Sequence, residues 1–281
     1  MGVAGRMSPN HILRCIDCGD SLQPTLTTLE CPACGAPLEV EYLEAPDGLS
    51  PRLPLERPEE IVSLGEGNTP LIPLPTIAAE LGLNRLWAKL EFEAPTGSFK
   101  DRGSAVLISA AKEAGLTEFV EDSSGNAGAS LSAYAAAAGL RAHIFAPTSA
   151  GAGKKDQIRV FGAVLHEIEG SRQASTDAAR AFVSERGVPW LSHYMSPYFT
   201  EGMKAFAYEL ADAPEAPFDH VIFPVGNGSL IVGALEGFQE LVHAKKSQRS
   251  RHSTACRQTR YVPSWPRSPT KTGRSRPAPR P

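Results

Sequence analysis

The chain has 281 residues, with 28 Lys+Arg against 31 Asp+Glu, a formal charge of −3, and 42% hydrophobic residues. That balance excludes a chain disordered throughout, and at about 100 to 200 residues per domain the length allows one or two domains with full cores. No run approaches the ~18 apolar residues of a membrane span and the N-terminal MGVAGRMSPNHILRC lacks an apolar signal core, so a cytoplasmic protein is expected.

Four of the five cysteines come first, as Cys15-x2-Cys18-x12-Cys31-x2-Cys34. Two thiolates two residues apart can reach one ion, and two such pairs complete the tetrahedral four-thiolate shell that Zn²⁺ prefers in structural sites. The other reading, two disulfides, needs an oxidising compartment that nothing else in the sequence supports. Residues 11–44 are therefore expected to form a small structural zinc ribbon, and Cys256 is read as incidental.

A Pro-rich linker over 45–58 leads to alternating helical and strand-like patterns, the signature of an α/β layer architecture. The patterns predict a helix over 76–81 closing at Gly82, a strand over 85–92, and a helix over 101–114 stopping at Gly115. A short strand at 119–120, an Ala-rich helix through Ala138, a strand over 141–146, a helix over 154–162 and a strand over 163–168 follow. The run HVIFP at 220–224 reads as a buried strand, and 230–244 as a helix.

Three glycine-rich joints each lie between a strand-like run and a helix start. In Pro95-Thr96-Gly97-Ser98-Phe99-Lys100-Asp101-Arg102, Lys100 stands in a first helical turn, where the dipole disfavours a cation and favours the neutral amine of imine chemistry. A surface lysine paired with Asp101 is the alternative. In Ser123-Ser124-Gly125-Asn126-Ala127-Gly128, hydroxyls and backbone N–H groups suit a carboxylate, although for the motif taken alone an N-cap with a turn is the better reading. Val225-Gly226-Asn227-Gly228-Ser229 offers converging N–H groups for a phosphate, or simply a tight turn.

Residues 245–281 hold 3 Lys, 8 Arg and 6 Pro with no Asp or Glu, so a +11 segment follows 244 residues that carry −14. With no apolar period, this segment is expected to be disordered. Its charge could attract nucleic acid, but Tyr261 and Trp265 alone do not make a stacking platform, and a nucleic-acid partner is not expected.

Together, Gly65-Glu66-Gly67-Asn68-Thr69-Pro70-Leu71, PTGSFKDR, SSGNAGAS and PVGNGSL resemble, in order and spacing, threonine synthase of the fold type II pyridoxal-phosphate enzymes. The resemblance runs from about residue 64 to 241 and implies a tryptophan synthase β-like fold of two α/β domains with open twisted sheets. The catalytic region would be 60–244, with a small domain at roughly 97–204 and a large one from 60–96 and 205–244. On this resemblance Lys100 matches the lysine that forms the internal aldimine, Asn126 the partner of the cofactor 3-hydroxyl, and Val225, Gly226, Asn227, Gly228 and Ser229 the phosphate loop. Ser123, Ser124, Gly125 and Ala127 match the loop that receives the substrate carboxylate, with Ser98 and Lys204 as further substrate-binding candidates. Lys204 belongs to Pro197-Tyr198-Phe199-Thr200-Glu201-Gly202-Met203-Lys204, similar to the family segment P-x-x-x-E-G-x-K that opens a helix near the active site.

The implied activity is a lyase of threonine biosynthesis, converting O-phosphohomoserine and water to threonine and phosphate, in a homodimer. Lys154, Arg159, Lys204, Ser98 and Thr96 are unranked candidates for the departing phosphate. Threonine dehydratases and cysteine or cysteate synthases share the lysine, the asparagine and a glycine loop, and a non-catalytic protein binding pyridoxal phosphate or zinc is a further alternative. Because the basic segment begins where the resemblance ends, the C-terminal part of the large domain reads as missing, and the sequence as truncated or frameshifted after about residue 244.

Overall fold

The computed structural model describes residues 10–44 and 50–249; the expectations for the basic segment beyond 249 and for part of the linker lie outside the described residues. The chain opens with strands β1 (His11–Cys15), β2 (Ser21–Leu22) and β3 (Leu38–Tyr42), an antiparallel sheet in the order β2-β1-β3. Alternation along β1 buries His11, Leu13 and Cys15, and Leu13 and Leu38 join the same core as the helices that follow. The ribbon is thereby packed onto the rest of the molecule instead of standing apart.

β4 (Leu71–Pro73) pairs antiparallel with β5 (Trp87–Lys89) around α1 (Pro75–Glu80). The strand expected over 85–92 shortens to its centre because Leu90 gives way to a 3-10 turn, Glu91–Glu93. α2 (Lys100–Glu113) and α3 (Asn126–Ala138) flank β6 (Glu118–Glu121), and β7 (Arg141–Pro147), α4 (Ala152–Val160) and β8 (Val164–Ile168) follow. β6, β7 and β8 form a parallel sheet in that order, and Val120 also bridges Trp190 on the free edge of β6. Parallel strands are normally covered on both faces, and here α3 and α5 (Arg172–Arg186) both pack on β7. Gly139 and Gly187 end α3 and α5 in the left-handed conformation, as a helix stop requires.

α6 (Pro197–Met203), α7 (Ala205–Asp212) and α8 (Ser229–Arg249) complete the described chain. α8 runs past residue 244, into the start of the basic segment. The strand expected at 220–224 does not form: Ile222 is 89% exposed and no strand lies beside it. A strand needs a neighbour to satisfy its ladder, and none of the described residues supplies one.

α2 and α6 cross backbone to backbone. A Cβ on Gly202 would lie 2.1 Å from the Arg102 carbonyl oxygen, and one on Gly103 would lie 2.6 Å from the Phe199 carbonyl oxygen. Two glycines at one crossing bring the helix carrying Lys100 against the helix carrying Phe199 at the closest approach backbones allow.

Candidate active site

Lys100 is the first residue of α2 and is 8% exposed. Its Nζ donates to Ser229 Oγ at 3.2 Å and Asn227 Oδ1 at 3.3 Å, and it lies 4.7 Å from the Phe99 ring centroid and 5.4 Å from that of Phe199. Burial drives its pKa down to about 8, against the opposing pull of the Glu121 carboxylate. Near neutral pH such an amine has an appreciable neutral fraction.

Asp101 does not pair with Lys100. Its carboxylate accepts the Thr96 backbone N–H at 2.7 Å and the hydroxyls of Thr96 and Ser130 at 2.5 and 2.6 Å, which ties the PTGS turn to α3. Arg102 is buried between Glu91 and Glu209 with contacts of 2.5–2.9 Å, and reaches Thr69 Oγ1 at 3.3 Å. The GEGNTP and PTGSFKDR motifs are thus bound into one body.

The loop at Val225, Gly226, Asn227 and Gly228 opens α8, whose first residue, Ser229, gives its backbone N–H to Asn227 Oδ1 at 3.3 Å. Gly228 has φ +91°, a conformation that needs glycine, and Cβ atoms built on Gly226 or Gly228 would meet open space. Ser98 is buried with an Oγ that has no partner. A weakly basic amine, a glycine loop open at a helix N-terminus and an orphaned hydroxyl fit a group carrying both a carbonyl carbon and a phosphate.

The second loop occupies the N-terminus of α3. Ser123 and Ala127 are buried, Ser124 and Gly125 half-buried, and Asn126 exposed. Gly128 is packed so tightly that a Cβ there would fall 2.0 Å from the Ser123 carbonyl oxygen, which fixes the loop's direction. No hydrogen bond joins this loop to Lys100 among the described residues.

The structure brings Lys100, Asn227 and Ser229 together and puts Lys204 elsewhere. Lys204 is 1% exposed, with Nζ at 2.6 Å from Glu201 and 2.9 Å from Glu240. It neutralises Glu201, whose acidity burial weakens, and that carboxylate in turn accepts the Tyr42 hydroxyl of the ribbon. Lys154 bonds Gln157, and Arg159 pairs with Asp156 and Glu167.

A cavity of about 450 Å³ adjoins the Lys100 cluster through Asn227 and is lined by Asp122, Arg172, Gln173, Thr176, Arg180, His193 and Tyr194 as well. Sequence patterns single out none of these wall residues. The available signal was Glu121-Asp122, two acidic residues closing a buried strand directly before the SSGN loop.

The four cysteines of the ribbon are free thiols whose sulfurs all lie within 4.8 Å of one another, with Cys15–Cys34 at 3.4 Å and Cys18–Cys31 at 3.6 Å. Tetrahedral Zn–S bonds of about 2.3 Å put sulfurs roughly 3.8 Å apart, so the four could hold a metal ion.

The threonine synthase of Halalkalibacterium halodurans is 40% identical over 195 residues, covering 69% of this chain and 54% of its own length. That of Methanocaldococcus jannaschii is 34% identical over 247 residues, covering 81% of this chain and 60% of its own. The chain thus spans a little over half the length of these relatives. Among solved structures, maize serine racemase superposes with a TM-score of 0.56 at 27% identity, covering 66% of this chain and 54% of that one. The family described as pyridoxal-phosphate dependent enzyme matches residues 62–277, a span that reaches beyond the end of the motif resemblance. With Lys100 and the glycine loop in place, the chain belongs to the pyridoxal-phosphate dependent enzymes.

Proposed function

We propose that the chain acts as a threonine synthase, taking O-phosphohomoserine and water to threonine and phosphate. The observation that carries the reading is the convergence of a buried lysine with pKa about 8 on the Asn227–Ser229 loop; the kinship with threonine synthases gives the substrate.

Bound pyridoxal phosphate would supply an electron sink conjugated to the substrate amino group. Val225, Gly226, Asn227, Gly228 and Ser229 would hold its phosphate, Asn126 its 3-hydroxyl, and Lys100 its carbonyl carbon. Ser123, Ser124, Gly125 and Ala127 would hold the substrate carboxylate at the N-terminus of α3, where backbone N–H groups and the dipole favour an anion. Lys100 Nζ would take the Cα proton, since its lowered pKa leaves an appreciable fraction of the amine as free base near neutral pH. The Phe99 and Phe199 rings beside it keep water from that amine. The reading carries with it a cytoplasmic homodimer; among the described residues no helix is long and apolar enough to cross a membrane.

The test is phosphate release from O-phosphohomoserine by the purified chain with pyridoxal phosphate, set against ammonia release from L-threonine or L-serine. Phosphate release with stoichiometric threonine is the expected result. Ammonia release without phosphate release would move the chain to the dehydratases.

The ribbon's four thiolates are proposed to hold one structural zinc. Cys18→Ser is expected to lower bound zinc from one equivalent to near zero and the unfolding midpoint by roughly 5 °C or more, because ligand loss removes metal-linked folding energy. Metal analysis and a thermal melt check both.

A further inference from the structure

Glu121, the last residue of β6, is 0% exposed and spends both carboxylate oxygens on one neighbour. Oε2 accepts the His193 backbone N–H at 3.0 Å, and Oε1 lies 2.7 Å from His193 Nδ1. An ionised carboxylate only accepts, so Nδ1 carries the hydrogen, and in the neutral ring Nε2 then keeps its lone pair. No described residue bonds Nε2. His193 is 8% exposed and lies in the wall of the 450 Å³ cavity, which Asn227, the acceptor of the Lys100 ammonium, also lines.

One ring joins the two bases: the Phe199 centroid is 5.4 Å from Lys100 Nζ and 5.9 Å from the His193 ring, which it meets edge-on, as Tyr194 does at 5.4 Å. The charged groups facing the imidazole are Glu121 behind it and, in the cavity wall, Asp122, Arg172 and Arg180; Arg172 is 3.5 Å from Asp122. Glu121 also acts electrostatically on Lys100. A merely structural partner for a buried carboxylate would not need a second nitrogen at a cavity wall.

We infer that His193, held by Glu121, is a second proton-transfer residue, taking a proton from the water that adds to the substrate Cβ; this deepens the O-phosphohomoserine reading and rests on it. The water oxygen forms the C–O bond with its own electron pair as one of its protons passes to His193 Nε2. The pair released from the Cα–Cβ double bond is protonated at Cα by the Lys100 ammonium. His193 then gives its proton to solvent and Lys100 regains one from solvent, so the net change is one water added. His193 is the catalytic residue of the pair and Glu121 the positioning residue.

The test uses the full chain with ¹⁵N-labelled histidine, and the variants His193→Gln and Glu121→Gln. In the wild type, the His193 resonance is expected to show protonated Nδ1 and unprotonated Nε2, and Glu121→Gln, whose amide N–H can face Nδ1, should turn the ring to the Nε2–H tautomer. With pyridoxal phosphate and O-phosphohomoserine, His193→Gln should cut threonine formation about 10²-fold and remove the acidic limb of its pH profile. Exchange of the Cα proton in D₂O, which belongs to Lys100, should change less than about threefold, a flat response that general acid–base roles at separate atoms require. Unchanged threonine formation, or equal loss of exchange and threonine formation, overturns the inference. A wild type that exchanges Cα protons but releases no phosphate refutes the substrate reading instead. The resonance then decides for His193: the Nε2–H tautomer in the wild type, or a tautomer indifferent to Glu121→Gln, overturns its role, and the Nδ1–H tautomer lost in Glu121→Gln upholds it.

Discussion

Lys100→Ala is expected to abolish borohydride-trapped incorporation of pyridoxal phosphate and to lower phosphate release from O-phosphohomoserine by about 10³-fold or more, since it removes both the nucleophile and the base. The fold should survive. Lys100 gives only two long hydrogen bonds, at 3.2 and 3.3 Å, and its burial is a desolvation cost that alanine relieves. Asp101 continues to brace the PTGS turn through Thr96 and Ser130. Mass spectrometry after reduction shows the adduct, and an unfolding curve run in parallel shows that stability has not fallen. An adduct that persists at another lysine would remove Lys100 from the centre of the site.

Gly202→Ala is expected to cost about 3 kcal/mol or more, because the methyl group would meet backbone that cannot rotate away. Its Cβ would lie 2.1 Å from the Arg102 carbonyl oxygen and 2.8 Å from the Gly103 Cα. Separating α2 from α6 would also pull Lys100 away from Phe199. Urea unfolding measures the loss. Gly153→Ala is the control: a Cβ there meets nothing within 4 Å inside α4, so the change should be neutral or stabilising by up to about 1 kcal/mol. Equal behaviour of the two variants would mean that the α2–α6 crossing does not set the stability of this region.

What could be read in the sequence was what is local. The cysteine spacing puts each pair on one short turn, and the four sulfurs lie within 4.8 Å of one another. Helices α2 and α3 fall within a residue or two of expectation because Gly115 and Gly139 stop them. The joints that open α2 and α8 announced Lys100 and Ser229, although their meeting spans 129 residues.

What escaped depended on partners far along the chain. Nothing near Lys204 shows that Glu240 and Tyr42 engage it, so its family motif was legible and its ion pairs were not. His193 and Glu121 are 72 residues apart, and neither belongs to a spacing pattern. The run at 220–224 has the composition of a strand, but a ladder depends on a neighbour that local composition does not encode. α5 was missed although its start carries a local signal, Ser171, which caps it at the Ala174 N–H.

The ribbon's attachment to α6 has a consequence for synthesis. His11 reaches Tyr198 across 187 residues, and Tyr42 reaches Glu201 across 159. At roughly 5 to 20 residues per second, the ribbon leaves the ribosome some 10 to 40 seconds before the helix that covers it. For that interval Leu13 and Leu38 lack their final neighbours, and the small sheet must hold itself by its own strand pairing. On the proposed zinc assignment, metal supply during translation would then help decide how much of the chain reaches its folded form.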